Sequence, residues 1–167
     1  MASGEELNFV LKYGPFKGQR VLQLGSSIKF AAEVKAALGA KECFGLDMRP
    51  HENTDIVHNL NSPIDLDPFD TVICMSVLEH CDKPWLVAPN ITKLVKTGGL
   101  LLVGVPFWWR VHDHPADYWR MTPMAIKVLF PEDEYEYLEE ATWPPNTNLA
   151  KHDHKHVEVF AAMRKIV

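Results

Sequence analysis

The sequence predicts an α/β domain in which a mostly parallel β-sheet carries helices on both faces. The first observation is an apolar run at residues 21–24 that stops at Gly25, which is typical of a buried strand. The second is the helical spacing of the apolar residues that follow, at Phe30, Val34 and Leu38. The third is the alternation of strand-like and helical segments along the chain, with no linker between them. We therefore expect one domain spanning residues 1–167.

Each element is marked by local signals. Ser3 and Glu6 match a capping box and predict a short first helix that closes at residues 13–15. Pro84 opens a later helix, for which the pair Gly98 and Gly99 predicts the end. Thr122 precedes the last helix. Too few residues separate the second and third strands for a full helix between them. The predicted strands are residues 21–24, 42–47, 56–58, 70–75, 100–105, 135–138 and 157–162.

The composition excludes several classes of protein. A formal net charge of −5 disfavours general binding to nucleic acid or to an anionic membrane surface. The odd number of cysteines, three, is typical of a reduced intracellular protein. The acidic first residues lack a signal-peptide pattern, and no run approaches the roughly 20 apolar residues of a membrane span. We expect a cytoplasmic protein with no nucleic-acid or membrane partner.

The turn after the first strand is the expected ligand site. In an open α/β sheet, ligands bind where the winding of the strands reverses, which would bring Gly25 beside residues 75–80. Asp47 closes the second strand about 20 residues after Gly25, the spacing at which a carboxylate reaches ribose hydroxyls. The turn lacks the later glycines that let a backbone close on a pyrophosphate. A nucleoside ligand without phosphates therefore fits better than a dinucleotide, although a plain strand–helix turn is the alternative.

Several motifs in order carry a family resemblance. The segments 21–26, 44–47, 69–80 and 94–101 are followed by His-Pro-Ala-Asp-Tyr-Trp-Arg-Met-Thr-Pro at residues 114–123. Together they resemble the class I S-adenosylmethionine-dependent methyltransferases, in the branch with "VLEH" and "HPxDYWRxTP" signatures. The resemblance covers residues 20–128. It implies a three-layer Rossmann-like methyltransferase sandwich, with a mostly parallel sheet, an antiparallel last strand and a reduced helix between strands 2 and 3.

The resemblance implies S-adenosyl-L-methionine as the cofactor. Asp47 would hold the ribose, and Asn59 stands where the family often has an aspartate near the adenine amino group. Gln23 departs from the usual acidic residue of the first strand, and Ser27 and Lys29 replace glycines, which puts cofactor affinity in doubt. The implied cofactor-binding residues are Gly25, Ser26, Ser27, Asp47, Asn59, Met75 and Ser76.

The acceptor side is predicted from histidines and aromatic residues. Methyl transfer needs a general base only where the acceptor keeps its proton, as a hydroxyl does. The candidate bases are His80, His112 and His114; the alternative for His80 is a packing role beside the cofactor pocket. Aromatic and charged side chains in the same loop suit a sugar, an aromatic ring or a phosphate. The candidate acceptor-binding residues are Trp108, Arg110, Asp117, Tyr118 and Arg120.

Alternatives to this interpretation stay open. An Asp117–Arg120 pair and a buried Trp119 would make the same loop purely structural. The histidines of residues 152–156 suggest a metal, but two lysines beside them favour a solvated loop, and we expect no metal site. The leading hypothesis is methyl transfer to a small-molecule or glycan-like acceptor. The rivals are a non-catalytic cofactor-binding module and a metal-binding protein, and the oligomeric state is open.

Overall fold

A computed structural model describes residues 4–25, 39–112, 116–151 and 156–167. Three helices lie in this part of the chain, α1 (Gly4–Lys12), α2 (Pro84–Leu94) and α3 (Pro123–Leu129). One short 3₁₀ turn covers Leu78–His80. The strands are β1 (Arg20–Leu24), β2 (Glu42–Asp47), β3 (Ile56–Val57), β4 (Phe69–Met75), β5 (Val95–Trp108), β6 (Tyr135–Trp143) and β7 (Val157–Lys165).

The seven strands form one sheet in the order β3-β2-β1-β4-β5-β7-β6. The strands from β3 to β5 are parallel, and β7 runs antiparallel to both of its neighbours. The winding reverses between β1 and β4, which pair directly from Val21–Thr71 to Leu24–Cys74. The sequence-based prediction of the fold class is therefore confirmed, and the predicted switch point lies where β1 and β4 end.

Side chains bury both faces of the sheet. On one face, Leu22, Val72 and Leu101 pack with apolar residues of α2 and α3. On the other, Ile73 and Phe160 pack against α1, where Phe9 stacks on Phe160 with ring centroids 4.8 Å apart. The three layers are therefore α2 with α3, the sheet, and α1. The helix predicted from Phe30 lies outside the described residues.

The β4–β5 connection differs from the prediction. The helix that begins at Pro84 ends at Leu94, because Val95 is already extended and pairs with Phe69. The expected helix end at Gly98 and Gly99 is wrong; these glycines lie in a bulge within β5. Gly98 has φ +80°, and a Cβ on Gly99 would lie 2.9 Å from the carbonyl oxygen of Asp70. The glycines therefore serve sheet pairing, not helix capping.

The short crossover between β2 and β3 agrees with the prediction. The eight residues 48–55 contain turns and no helix. The carboxylate of Asp55 accepts a 2.7 Å hydrogen bond from the backbone N–H of Gly45 in β2 and so ties this crossover to the sheet. Among the described residues, no helix combines the length and apolar character needed to cross a bilayer.

Candidate functional site

The turn after β1 has a backbone that only glycine readily adopts here. Gly25 has φ +64°, and its N–H donates to the carbonyl of Leu46 at 2.9 Å. A Cβ at this position would lie 2.6 Å from Cγ2 of Val77, which follows β4. Because both the conformation and the space exclude a side chain at position 25, the backbone of Gly25 packs directly against the side chain of Val77.

Ser76, directly after β4, is also left-handed, with φ 51°. Its N–H donates to the carbonyl of Gly104 in β5 at 2.9 Å, and its hydroxyl donates to Oε1 of Glu6 at 2.5 Å. Glu6 belongs to α1 and is buried at 1% exposure. Positive φ is uncommon for a non-glycine residue and needs support from its surroundings. The two hydrogen bonds supply that support, and α1 thereby covers the switch point.

Asp47 lies at the end of β2, on the same edge of the sheet. Its Oδ1 accepts from the N–H of Arg49 at 2.9 Å, and its Oδ2 lies 3.6 Å from Nε2 of His51. The side chain keeps 21% of its surface exposed, so lone pairs remain accessible. Asp47 thus presents a partly solvated carboxylate beside the Gly25 turn.

Gln23, two residues before Gly25, is the unusual residue of β1. It is 1% exposed, and neither its amide nitrogen nor its amide oxygen has a hydrogen-bond partner. An unpaired buried amide costs about 1–3 kcal/mol. Such a group at the switch point is suited to pair with a polar ligand.

The remaining predicted cofactor residues fall in different surroundings. Met75 is buried and lies against Gly104, where a Cβ would meet its sulfur at 2.5 Å. Asn59 is exposed, and its side-chain oxygen accepts from the N–H of Asn61 at 3.0 Å. Ser26 and Ser27 lie outside the described residues, as does His114 of the acceptor side.

Glu79, in the 3₁₀ turn after β4, carries a fully buried carboxyl group. Both of its carboxyl oxygens lack a hydrogen-bond partner in another residue. Burial, together with the nearby charges of Glu6 and Asp117, raises the pKa of Glu79 to about 8. Its own backbone N–H and Arg120 oppose this more weakly. At neutral pH the group is therefore largely protonated.

The loop after β5 folds back onto this turn. The backbone N–H groups of Tyr118 and Trp119 both donate to the carbonyl of Glu79, at 2.8 and 3.3 Å. The indole N–H of Trp119 donates to the carbonyl of Cys81 at 2.8 Å. Trp119 nevertheless keeps 36% of its surface exposed, so the alternative of a buried Trp119 is wrong. Backbone and indole hydrogen bonds, not burial of the indole, dock the loop.

Asp117 and Arg120 form the centre of that loop. The guanidinium donates to both carboxylate oxygens of Asp117, at 2.6 and 2.7 Å. It also donates to the carbonyls of Trp109, Arg110 and Trp119. Asp117 has no exposed side-chain surface, and Arg120 lowers its pKa to about 2. Both residues were predicted to bind the acceptor; in the structure they engage each other and the loop backbone.

The two described candidate bases lie side by side. The rings of His80 and His112 meet edge-to-face with centroids 5.0 Å apart. Nδ1 of His80 donates to the carbonyl of Ala116 at 2.5 Å, and its Nε2 lies 3.8 Å from Oε1 of Glu79. One ligand atom from each of Glu79, His80 and His112 lies within 4.8 Å of the other two, close enough to bind one cation together.

The predicted aromatic residues lie at the same edge but point to different neighbours. Trp108 ends β5, and both it and Tyr118 are exposed. The guanidinium of Arg110 lies 5.5 Å from the ring centroid of Trp109. The ring of His156, which precedes β7, lies 3.9 Å from Trp109. Exposed aromatic side chains therefore lie at this edge of the sheet.

Sequence reasoning missed three participants of this site. Glu6 was interpreted as a helix cap, yet it accepts from Ser76. Trp143 was not considered, although its ring lies 5.5 Å from that of His156. The burial of Glu79 was not foreseen either, although its place between Leu78 and the histidine of the motif was a usable signal.

Comparison with known proteins assigns the class of this fold. A family model described as "Methyltransferase domain" matches residues 22–103. The structure of an S-adenosylmethionine-dependent methyltransferase from Mesorhizobium loti superposes with a TM-score of 0.72 at 13% identity, covering 97% of this chain and 98% of that one. Residues 22–103 therefore match a methyltransferase domain, and the chain has the fold of this methyltransferase structure, as the motifs predicted.

More particular similarities lie with O- and N-methyltransferases. Ubiquinone biosynthesis O-methyltransferase from Xylella fastidiosa is 30% identical over 113 residues, covering 58% of this chain and 46% of that protein. Its counterpart from Neisseria meningitidis is 26% identical over 140 residues, covering 74% and 57%. The chain spans about half the length of these relatives. Burkholderia thailandensis 1,6-didemethyltoxoflavin-N1-methyltransferase, solved with S-adenosylhomocysteine, superposes with a TM-score of 0.72 at 12% identity, covering 98% and 77%.

Proposed function

We propose that this chain binds S-adenosyl-L-methionine at the β1/β4 switch point and methylates a small-molecule or glycan-like acceptor. The observation that carries the proposal is the close packing of Gly25, which has no room for a side chain, against Val77 after β4, with the Asp47 carboxylate on the neighbouring strand. When bound, the cofactor supplies a sulfonium methyl, a strong electrophile that needs mainly an aligned acceptor. The fold and the relatives described above support the same activity.

The described residues fit such a cofactor. In this proposal Asp47 accepts from the two ribose hydroxyls, for which it keeps accessible lone pairs. Gly25 and Ser76 offer left-handed backbone against which a ligand can pack closely, with Met75 below. The unpaired amide of Gln23 can hydrogen-bond the ammonium group of the methionine part, in place of the usual carboxylate. Ser26, Ser27 and Asn59 complete the proposed cofactor-binding set.

On the acceptor side, the proposal assigns His80 or His112 as the general base for a hydroxyl acceptor, with His114 in the same loop. Trp108, Arg110 and Tyr118 would contact the acceptor through their exposed side chains. Asp117 and Arg120 keep the loop in place in this scheme, because their polar atoms are already paired. Exposed indole and phenol faces favour an acceptor with a flat ring.

Calorimetric titration with S-adenosylhomocysteine tests the cofactor assignment. We expect binding by the native chain, and an affinity lower by about 1–3 kcal/mol in Asp47→Ala, because two hydroxyls lose a charged acceptor. Asp133→Ala, an exposed aspartate on the loop before β6, is the matched control and should bind normally. No heat at high protein concentration would disprove the cofactor site. An unchanged affinity in Asp47→Ala would place the ribose elsewhere.

A non-catalytic module is the second candidate. Gln23 supports it, because a neutral amide replaces the family's usual charge in the first strand. Tight binding of the cofactor without turnover, on a panel of phenols, amines and sugars, would favour this alternative. We further propose a cytoplasmic protein without nucleic-acid or membrane partners, for which the net charge of −5 is the support.

A further inference from the structure

The side chain of His112 is oriented by acceptors on one of its two ring nitrogens. Nδ1 lies 3.0 Å from Oδ2 of Asp117 and 3.3 Å from the carbonyl oxygen of Arg110. The backbone N–H of His112 donates to the same Oδ2 at 2.8 Å. Neither a carboxylate nor a carbonyl can donate, so the proton of the neutral ring belongs on Nδ1. Nε2 is then left with a lone pair.

The carboxylate that faces Nδ1 is itself held in place. Arg120 grips both oxygens of Asp117, and three backbone carbonyls hold the guanidinium in turn. Because Arg120 lowers the pKa of Asp117 to about 2, the buried side-chain carboxylate stays ionised at neutral pH. An oriented carboxylate beside Nδ1 fixes the tautomer of a histidine and stabilises its protonated form.

We propose that Asp117, gripped by Arg120, is a positioning residue that makes His112 the general base for acceptors bearing a neutral hydroxyl. This deepens the proposed function and rests on it. The hydroxyl proton would pass to Nε2 of His112, and the acceptor oxygen would keep the electron pair that forms its new bond to the methyl carbon. The bond between that carbon and the cofactor sulfur would break, and its electron pair would stay on the sulfur of the released S-adenosylhomocysteine. The proton leaves to solvent from the His112 ring, whose side chain is 20% exposed.

The other groups facing His112 set the choice between the two histidines. Asp117 and Arg120 come from its own loop, whereas Glu79 and His80 come from the turn after β4, with Glu6 of α1 acting on Glu79. Nδ1 of His80 faces the neutral carbonyl of Ala116. The ionised carboxylate of Asp117 lies against Nδ1 of His112 and favours this ring as the base.

Nitrogen-15 NMR of the ring nitrogens tests the positioning role without any acceptor, with His112 assigned by a His112→Gln variant. We expect the native protein to show Nδ1 protonated and Nε2 bare at high pH. Asp117→Asn should mix or invert the tautomers of His112, because an ionised acceptor next to Nδ1 is lost. Asp133→Asn is the matched control and should leave the tautomers unchanged. The proposal would be overturned if the native protein carried the proton on Nε2, or if Asp117→Asn left the tautomer ratio of His112 unchanged.

Turnover supplies the second readout, with catechol and the more acidic 4-nitrocatechol as probes. We expect Asp117→Asn to lower kcat on catechol at least about 100-fold with little change in KM, and much less on the nitro compound, whose hydroxyl is already ionised. Equal losses on both would contradict a base-positioning role. Should Asp117→Asn fail to fold, Arg120→Lys is the second variant, because it keeps the positive charge but loses the two-pronged contact with Asp117. It should give a smaller loss in kcat with the same selectivity and the same direction of change in the tautomer ratio of His112.

Two measurements separate this proposal from its neighbours. Failure of S-adenosylhomocysteine binding in the calorimetric experiment removes the methyltransferase function, while the NMR result still reports on Asp117 and His112. The second measurement is elemental analysis of protein purified without an affinity tag. A stoichiometric metal ion that is lost in Glu79→Gln would occupy the Nε2 position and would overturn the base role of His112.

Discussion

Glu79, beside His80, and Asp117, beside His112, both have buried carboxyl groups, but their pKa values are shifted in opposite directions. Glu79, in the turn after β4, has no partner for either oxygen, and its pKa is raised to about 8. Asp117, in the loop after β5, is gripped by Arg120, and its pKa is lowered to about 2. Burial alone favours the neutral form, whereas burial with a paired guanidinium favours the ion. At neutral pH the carboxyl group of Glu79 is therefore largely protonated, whereas that of Asp117 is ionised.

The largest expected effect comes from removing the guanidinium. Arg120→Ala leaves the buried Asp117 carboxylate without its guanidinium and with only His112 as a partner, which should lower the free energy of unfolding at pH 7 by about 3 kcal/mol. Urea denaturation measures this loss. The control is Arg164→Ala, which removes an exposed ion pair with Glu136 and should cost less than about 1 kcal/mol.

The acid limb of the stability curve checks the same pair. The pKa of Asp117 is lower in the folded chain than in the unfolded one, so its contribution is complete above about pH 4 and is lost as the pH falls toward 2. In Arg120→Ala this loss should start at higher pH. Equal unfolding energies and equal acid limbs in the two proteins would show that the ion pair does not govern Asp117.

The next expected effect concerns Glu79→Gln, which should remove the pH dependence that this buried carboxyl group gives to the free energy of unfolding. The folded pKa of about 8 exceeds the ordinary value of 4.5, so the unfolded chain loses this proton first as the pH rises. Stability therefore falls between about pH 4.5 and 8, by about 3 kcal/mol at pH 7. Glu79→Gln should flatten this slope in denaturation curves collected at pH 5, 6, 7 and 8. A slope identical to that of the native chain would mean that Glu79 is ionised in the folded state.

The smallest expected effect concerns Glu6, the carboxylate that binds Ser76 from α1. Its charge contributes to the raised pKa of Glu79, after burial, so Glu6→Gln should move that pKa down by less than about one unit. Carbon-13 NMR of the Glu79 carboxyl carbon follows the titration. A Glu5→Gln variant on the same helix is the matched control. An upward shift in Glu6→Gln would show that the hydrogen bond to Ser76, and not the charge, dominates.

Much of the sheet was predictable because each strand is an apolar run bounded by turn residues. Residues 42–47 were predicted as a strand, and β2 has those bounds. The glycines at 98 and 99 misled the prediction, since a glycine pair after a helical pattern resembles a helix end. Their real role depends on β4 lying alongside, which local sequence does not report.

The candidate site was predictable in its residue types and not in their pairings. The motif around His80 and the loop around Asp117 were both singled out, and Asp117–Arg120 was weighed as a structural pair. Nothing in the sequence places the carbonyl of Glu79 under Tyr118, or Nδ1 of His112 against Asp117. The roles of these residues stay predictions until the variants are measured.

The sequence by itself determined the class of fold, the Gly25 turn and the acidic end of β2, because these depend on hydrophobic pattern, backbone freedom and spacing along the chain. Only the tertiary structure decided which carboxyl group carries a charge. That choice depends on whether a buried group meets a guanidinium folded in from its own loop, as Asp117 does, or meets none, as with Glu79. Solvation and pairing act through space, so spacing along the chain does not encode them directly.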